Sequence, residues 1–122
     1  MAVRAAVKST VLDINVSVWS WSGLLNGDTG GPVQVLAAGV LLAQLVSGTL
    51  GVGGACGWQG SLDSGNTWAT LTSNGATAIS LTALLSEKMI AERAVLVRPI
   101  ITAGDGTTSL VASLLAQISP TF

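Results

Sequence analysis

Turn-forming clusters interrupt this chain so often that long helices have little room. Asn26-Gly27-Asp28-Thr29-Gly30-Gly31-Pro32, the glycines at 51, 53, 54 and 57, Ser61-Leu62-Asp63-Ser64-Gly65-Asn66-Thr67-Trp68, Ser73-Asn74-Gly75 and Ala103-Gly104-Asp105-Gly106-Thr107 cut it into short apolar stretches. Glycine supplies positive φ, proline fixes φ, and Asn or Asp side chains bond nearby backbone amides, so such clusters mark turns for a physical reason. Short stretches at this spacing predict an all-β fold, an antiparallel β-sandwich. With 122 residues, no long linker and no internal repeat, a single domain over 1–122 is expected.

The stretches themselves read as strands. Val7 to Trp19 alternates in part, and Leu12, Ile14, Val16 and Val18 are expected to face inward. Trp19 and Trp21 share one strand face, as core or interface filler or as a stacking platform. Val33–Leu36, Val40–Val46 and Thr49–Val52 are apolar and broken by glycines; both parities of Leu41–Val46 are apolar except Gln44, which predicts a strand covered on two faces. Trp68–Thr72 and Thr77–Leu81 are expected to pair across the Asn74-Gly75 turn. Leu84–Ala94 suits either a strand or a helix capped by Thr82. Ala94–Ile101 reads as a strand in which Pro99 implies an edge or a bulge. Leu110–Ile118 reads as the last strand.

Composition bears on what covers the surface. Only 9% of residues are charged and 49% are hydrophobic, and no charge occurs from Thr29 to Leu62; ordinary domains carry about 25% charged residues. Much of the surface is therefore expected to be covered by a partner. Trp19, Trp21, Leu41, Leu42, Leu45 and Val46 are the candidate interface residues. A net charge of −1 without a basic patch argues against nucleic acid. Val33–Leu50 is long enough to span a bilayer, yet Gln34, Gln44, Ser47, Thr49 and two glycines interrupt it, so no membrane span is expected. Arg4 and Lys8 are followed by Asp13 and Asn15 without an apolar run, so no signal peptide is expected either.

The chain has no histidine and one cysteine, Cys56. That removes the common nucleophile–base pairs and most transition-metal sites, and neither a catalytic residue nor a cofactor is expected. Gly27-Asp28-Thr29-Gly30-Gly31-Pro32 looks like a serine-protease nucleophile loop with Thr for Ser, but its general base is missing. Asp28-Thr29-Gly30 looks like an aspartic-protease triplet, but no apolar strand precedes it. No lysine lies between Lys8 and Lys88, which excludes a phosphate-binding loop at the glycine-rich segment. Of the six carboxylates, Asp28, Asp63 and Asp105 sit in turns where backbone capping is their ordinary role; a calcium site would require those loops to meet, and no spaced run of oxygen ligands supports one.

The pattern Ser61, Asp63, Gly65, Thr67, Trp68 resembles the Asp-box turn of sialidases and many β-rich surface modules, where the turn is structural. One copy argues against a propeller, which would repeat it in each blade. Asp63 is expected to bond the amides after it, and Trp68 to fold back as an apolar plug. From Leu45 onward the chain also resembles a family of small tailed-phage structural proteins. The resemblance rests on Ser47-Gly48-Thr49-Leu50-Gly51-Val52-Gly53-Gly54-Ala55, on Trp58-Gln59-Gly60-Ser61 leading into Asp63–Trp68, and on Arg98-Pro99-Ile100-Ile101-Thr102-Ala103-Gly104-Asp105-Gly106-Thr107-Thr108-Ser109-Leu110. Asn26–Gly30 fits the same family loosely, and Val35–Leu45 departs from it by carrying less charge.

The resemblance implies a capsid-associated β-sandwich of jelly-roll type, a decoration or cement protein. Its partner would be the major capsid protein, its location the phage head after synthesis in the bacterial cytoplasm. A homo-trimer on local threefold positions is the first oligomer expectation and a dimer the second. The alternative is a carbohydrate- or receptor-binding β-module of a head or tail fibre, favoured by the paired indoles.

Overall fold

The computed structural model describes residues 3–10, 16–35, 38–92 and 94–118. It contains the strands β1 (Val3–Arg4), β2 (Val7–Thr10), β3 (Val16–Leu25), β4 (Thr29–Gly30), β5 (Val33–Gln34), β6 (Ala38–Thr49), β7 (Ala55–Ser61), β8 (Ala69–Thr70), β9 (Ser86–Met89), β10 (Leu96–Ala103) and β11 (Ser109–Ile118). No helix occurs among the described residues. One sheet has the order β1-β4-β10-β7-β8, with β5 also paired to β10; the other has the order β2-β3-β11-β6-β9. We call them sheet I and sheet II. All of their pairings are antiparallel except β1 with β4. The chain is all-β, as the turn spacing predicts.

The two sheets share one hydrophobic core. Sheet II contributes alternate residues of its central strands: Leu110, Ala112, Leu114 and Ala116 from β11, Leu41, Ala43 and Leu45 from β6, and Trp21 and Leu24 from β3. Sheet I contributes Cys56 and Trp58 from β7 and Val97 and Ile101 from β10. Burying each Leu, Val or Ile side chain stabilises the fold by roughly 1.5–3 kcal/mol. Trp21 and Leu24 are three apart yet both face inward. The register explains this: Leu24 pairs with Leu110 and Trp21 with Ala112, so Ser22 and Gly23 together oppose Val111. Gly23 takes φ +65°, the left-handed conformation that this kind of bulge uses.

Several sequence expectations need correction. Val7–Trp19 is not one strand: β2 and β3 pair as an antiparallel hairpin, Thr10 opposite Ser17. Val16 and Val18 lie on the outer face, because Trp19 and Trp21 occupy the inward parity of the same strand. An indole buries about 150–250 Å², more than a valine offers, so the pair decides which face turns in. Leu12, Ile14 and Leu36 lie outside the described residues. Within Leu84–Ala94 the chain forms β9, paired to β6 from Leu42–Met89 to Leu45–Ser86, and no helix. Thr49–Val52 is not a separate strand; β6 runs to Thr49 and a turn follows. The two stretches around Asn74-Gly75 meet through the isolated bridge Thr72–Ala78 and a bond from the Ile79 amide to the Leu71 carbonyl.

Pro99 is neither on an edge strand nor at the bulge of β10, which falls between Ile101 and Ala103. It lies mid-sheet opposite Trp58. On its other side, β4 pairs at Ile100 and β5 at Val97, so Pro99 falls where the chain passes from one short strand to the next. That gap is how a central strand accommodates a residue without an N–H.

Candidate functional site

The Ser61–Trp68 turn closes the β7–β8 hairpin, with Gln59 opposite Thr70 and Gly60 opposite Ala69. Its hydrogen bonds are local. The Thr67 amide donates to Asp63 Oδ1 at 2.9 Å, Thr67 Oγ1 to Asp63 Oδ2 at 2.6 Å, and Ser61 Oγ to Asp63 Oδ1 at 2.8 Å. The Gly65 amide donates to Ser61 Oγ at 2.9 Å. Ser64 and Gly65 both take positive φ, +63° and +91°. The Thr67 hydroxyl and amide, then Ser61, hold the Asp63 carboxyl down at about 2. Trp68 Nε1 donates to the Gly65 carbonyl at 3.1 Å, which lays the half-buried indole across the turn.

Arg98 sits over that indole. Its guanidinium carbon is 3.9 Å from the ring centroid, and its Nε donates to Gln59 Oε1 at 2.9 Å. Arg98 and Gln59 are cross-strand neighbours on the outer face of sheet I. The turn thus fixes Trp68, and Trp68 with Gln59 fixes Arg98. No carboxylate among the described residues pairs with this cation.

The outer face of sheet II has a different character. In register across β3, β11, β6 and β9 lie Val18, Leu115, Leu42 and Met89. Val18, Leu115 and Leu42 are half-buried, and Met89 is 55% exposed. The adjacent row is polar: Ser20, Ser113, Gln44 and Glu87. Val18, Leu42, Leu115, Gln44, Ser113 and Glu87 line a shallow groove of about 230 Å³.

Of the six interface candidates, the structure brings only some to the surface. Trp21, Leu41 and Leu45 are core residues, 0–1% exposed, because their parity faces sheet I. Leu42 and Val46 are half-buried on the outer side of β6. The two indoles therefore form no shared platform. Trp19 is half-buried at the margin of the sandwich, beside an open cavity of about 500 Å³ that it lines with Ala6, Gly31, Pro32, Val33 and Gln34. Sequence reasoning turned Val18 inward and left Leu115, Met89, Glu87 and Arg98 unassigned as surface residues. Their grouping depends on strand register, which no local pattern reveals.

The remaining carboxylates hold backbone in place. Asp28 is buried in the β3–β4 turn, where it accepts from the Leu25 amide at 2.9 Å and faces Arg4 Nε at 3.1 Å. Asp105 ties the β10–β11 turn to the 50–54 loop: the Val52 amide donates to Oδ2 at 2.8 Å, the Thr107 amide to Oδ1 at 2.8 Å. Thr107 first, then the Val52 amide, hold its carboxyl at about 2. Glu92 accepts from the Thr72 amide at 2.8 Å and from the Thr72 hydroxyl, and both bonds lower its pKa. Cys56 is fully buried, and desolvation pushes its thiol up to about 12. Among the described residues no three of Cys, Asp and Glu gather as metal ligands. No helix among them is long and apolar enough to cross a membrane. No family model matches the chain, and neither a curated protein nor a solved structure is similar to it.

Proposed function

We propose that this chain is a structural virion protein, a capsid decoration protein that binds the outside of a phage head and stabilises the shell. The observation that carries the reading is the apolar row Val18, Leu115, Leu42 and Met89 on the outer face of sheet II, in a chain with 9% charged residues. A sheet face of this kind gains stability when a partner covers it. Many copies on an ordered lattice would sum weak contacts through avidity. No bond is made or broken in such a role, so the chain acts as an adhesive element and not as an enzyme. The major capsid protein is the partner, and the copies associate with one another, as trimers or as dimers.

The strand order supports a jelly-roll-like reading of the sandwich. Four-strand sets β3-β11-β6-β9 and β4-β10-β7-β8 face each other, and the chain passes from sheet to sheet between β1 and β2, β3 and β4, β5 and β6, β6 and β7, β8 and β9, β9 and β10, and β10 and β11. Two interleaved Greek keys of this kind occur in viral capsid domains, and in lectins as well. Quantitative mass spectrometry and imaging of purified particles test the proposal. Hundreds of copies on the icosahedral shell are expected; a chain absent from the shell overturns it.

A second reading is a carbohydrate-binding module, favoured by the Trp19 indole beside its 500 Å³ cavity. One indole is available there, since Trp21 is core. A glycan array with a Trp19→Ala control tests it, and indole fluorescence unmoved by any sugar counts against it.

A further inference from the structure

Among the described residues, Arg98, Glu87 and the neighbouring Lys88 make no ion pair, and the first two lie on opposite faces of the sandwich. Arg98, on the outer face of sheet I, is stacked on Trp68 and held by Gln59 but meets no carboxylate. Glu87, on the outer face of sheet II, makes no hydrogen bond or ion pair among the described residues. Asp28, Asp63 and Asp105 are engaged at the turns they occupy, and Glu92 accepts from Thr72. Arg98 and Glu87 also have apolar neighbours. Leu96 and Ile100 lie on either side of Arg98 on its strand face, and Leu42, Leu115 and Met89 adjoin Glu87.

We propose that a second copy of this chain covers the apolar row of sheet II with the outer face of its sheet I, so that Glu87 of one copy receives Arg98 of the next. The two faces match in sign: Arg98 lies between Leu96 and Ile100 on its strand face, and Glu87 ends the polar row of Ser20, Ser113 and Gln44 beside the apolar row. A planar guanidinium already fixed by an indole and an amide loses little freedom on meeting a carboxylate, and it can offer paired N–H groups to both oxygens. A symmetric contact of sheet II with itself lacks this match. It would carry Glu87 of both copies toward a dry seam, and Lys88 alternates to the opposite side of β9, in register with Ala43. An uncompensated carboxylate in such a seam is costly. The contact is therefore head-to-tail, and it closes into a ring when the rotation between copies allows it.

The inference rests on the self-association part of the proposed function: it gives the apolar row of sheet II to a second copy, so that the shell is met by other surfaces of the assembly. It is tested on the purified full-length chain without any shell, so its failure is separable from failure of the decoration reading. Sedimentation over a wide concentration range should show reversible association of the native chain. Glu87→Arg, at an exposed position, and Arg98→Glu should each weaken association roughly tenfold or more, with the near-ultraviolet spectrum of the indoles retained in the first and the far-ultraviolet β spectrum and a cooperative melt retained in both. The double variant E87R/R98E should restore it. A native chain that stays monomeric throughout, or a Glu87→Arg variant that associates as the native chain does, overturns the proposal. So does a folded double variant that stays as weak as the single ones.

Discussion

Trp21 and Trp58 meet edge to face at the centre of the sandwich, with ring centroids 5.6 Å apart and planes at 72°. Both are fully buried, but their polar ends differ. Trp21 Nε1 donates to the Gly31 carbonyl at 2.9 Å, while Trp58 Nε1 has no acceptor among the described residues. A buried donor without an acceptor costs about 1–3 kcal/mol. Replacement by Phe removes similar apolar area at either site. Trp21→Phe also breaks a hydrogen bond, whereas Trp58→Phe removes an unsatisfied donor. Trp58→Phe should therefore be the milder change by roughly 1–2 kcal/mol in urea unfolding. The reverse order would mean that the Trp58 N–H has a favourable partner.

Gly30 fills the narrow space between Pro99 and Trp21. A Cβ there would lie 2.6 Å from Pro99 Cδ and Cγ and 2.7 Å from Trp21 Cδ1, all ring atoms that cannot swing aside. Gly30→Ala should cost about 1–3 kcal/mol through overpacking. Gly106 faces open space without positive φ, so Gly106→Ala should stay within about 0.5 kcal/mol of the native chain. Thermal or urea midpoints of the two variants check this contrast, and equal effects would refute the packing account.

The parts legible in the sequence are those whose chemistry is local. Ser61, Asp63, Gly65, Thr67 and Trp68 bond within seven residues of one another, so their spacing alone specified the turn. The strands of β6, β10 and β11 were likewise readable from apolar runs bounded by turn residues. What escaped depends on partners distant in sequence. Val18 and Trp19 are both apolar on opposite parities, and the larger area that the indoles bury against the opposing layer decides which parity turns in. Pro99 looked like an edge residue because the break between β4 and β5 lies some 70 residues upstream. Leu84–Ala94 carries a pattern that fits a helix or a strand, and the pairing of Ser86–Met89 with β6 settles it. Arg98 meets Trp68 across 30 positions, and Leu115 joins Val18 and Leu42 through register alone.

Burial of Cys56 makes a prediction at alkaline pH. The folded thiol ionises only near 12, well above its ordinary 9.0. Burial thus disfavours the thiolate, and the unfolded chain gains by ionising first. This contribution is intact below about pH 9 and is lost as the pH rises toward 12. Stability should decline above pH 9, and Cys56→Ala should show a shallower decline. In the folded chain the thiol should resist iodoacetamide at pH 8 and react once urea unfolds it. Rapid alkylation without denaturant would contradict the buried placement.

Asp63 and Asp105 make the matching prediction in acid. Their folded values lie at about 2, below the ordinary 3.8, because hydroxyl and amide donors stabilise the ionised form. Folded values below the unfolded ones mean that the unfolded chain takes up protons first. The stabilisation is present above about pH 4 and disappears as the pH falls toward 2. Glu92 is shifted in the same direction by Thr72 and adds to the same limb. Melting temperature should therefore hold steady from neutral pH to about 5 and fall steeply between 4 and 2. The double variant D63N/D105N should melt lower than the native chain at pH 7, and the gap should close as the pH approaches 2. Asparagine at 63 keeps one acceptor oxygen and replaces the other by an NH2 donor, so the Thr67 amide and hydroxyl no longer both find an acceptor, the Ser61–Trp68 turn loosens and Arg98 loses its platform. Asp63→Asn alone should then red-shift Trp68 emission at neutral pH. An acid limb unchanged in the double variant would show that these two turns contribute nothing to the pH dependence of folding.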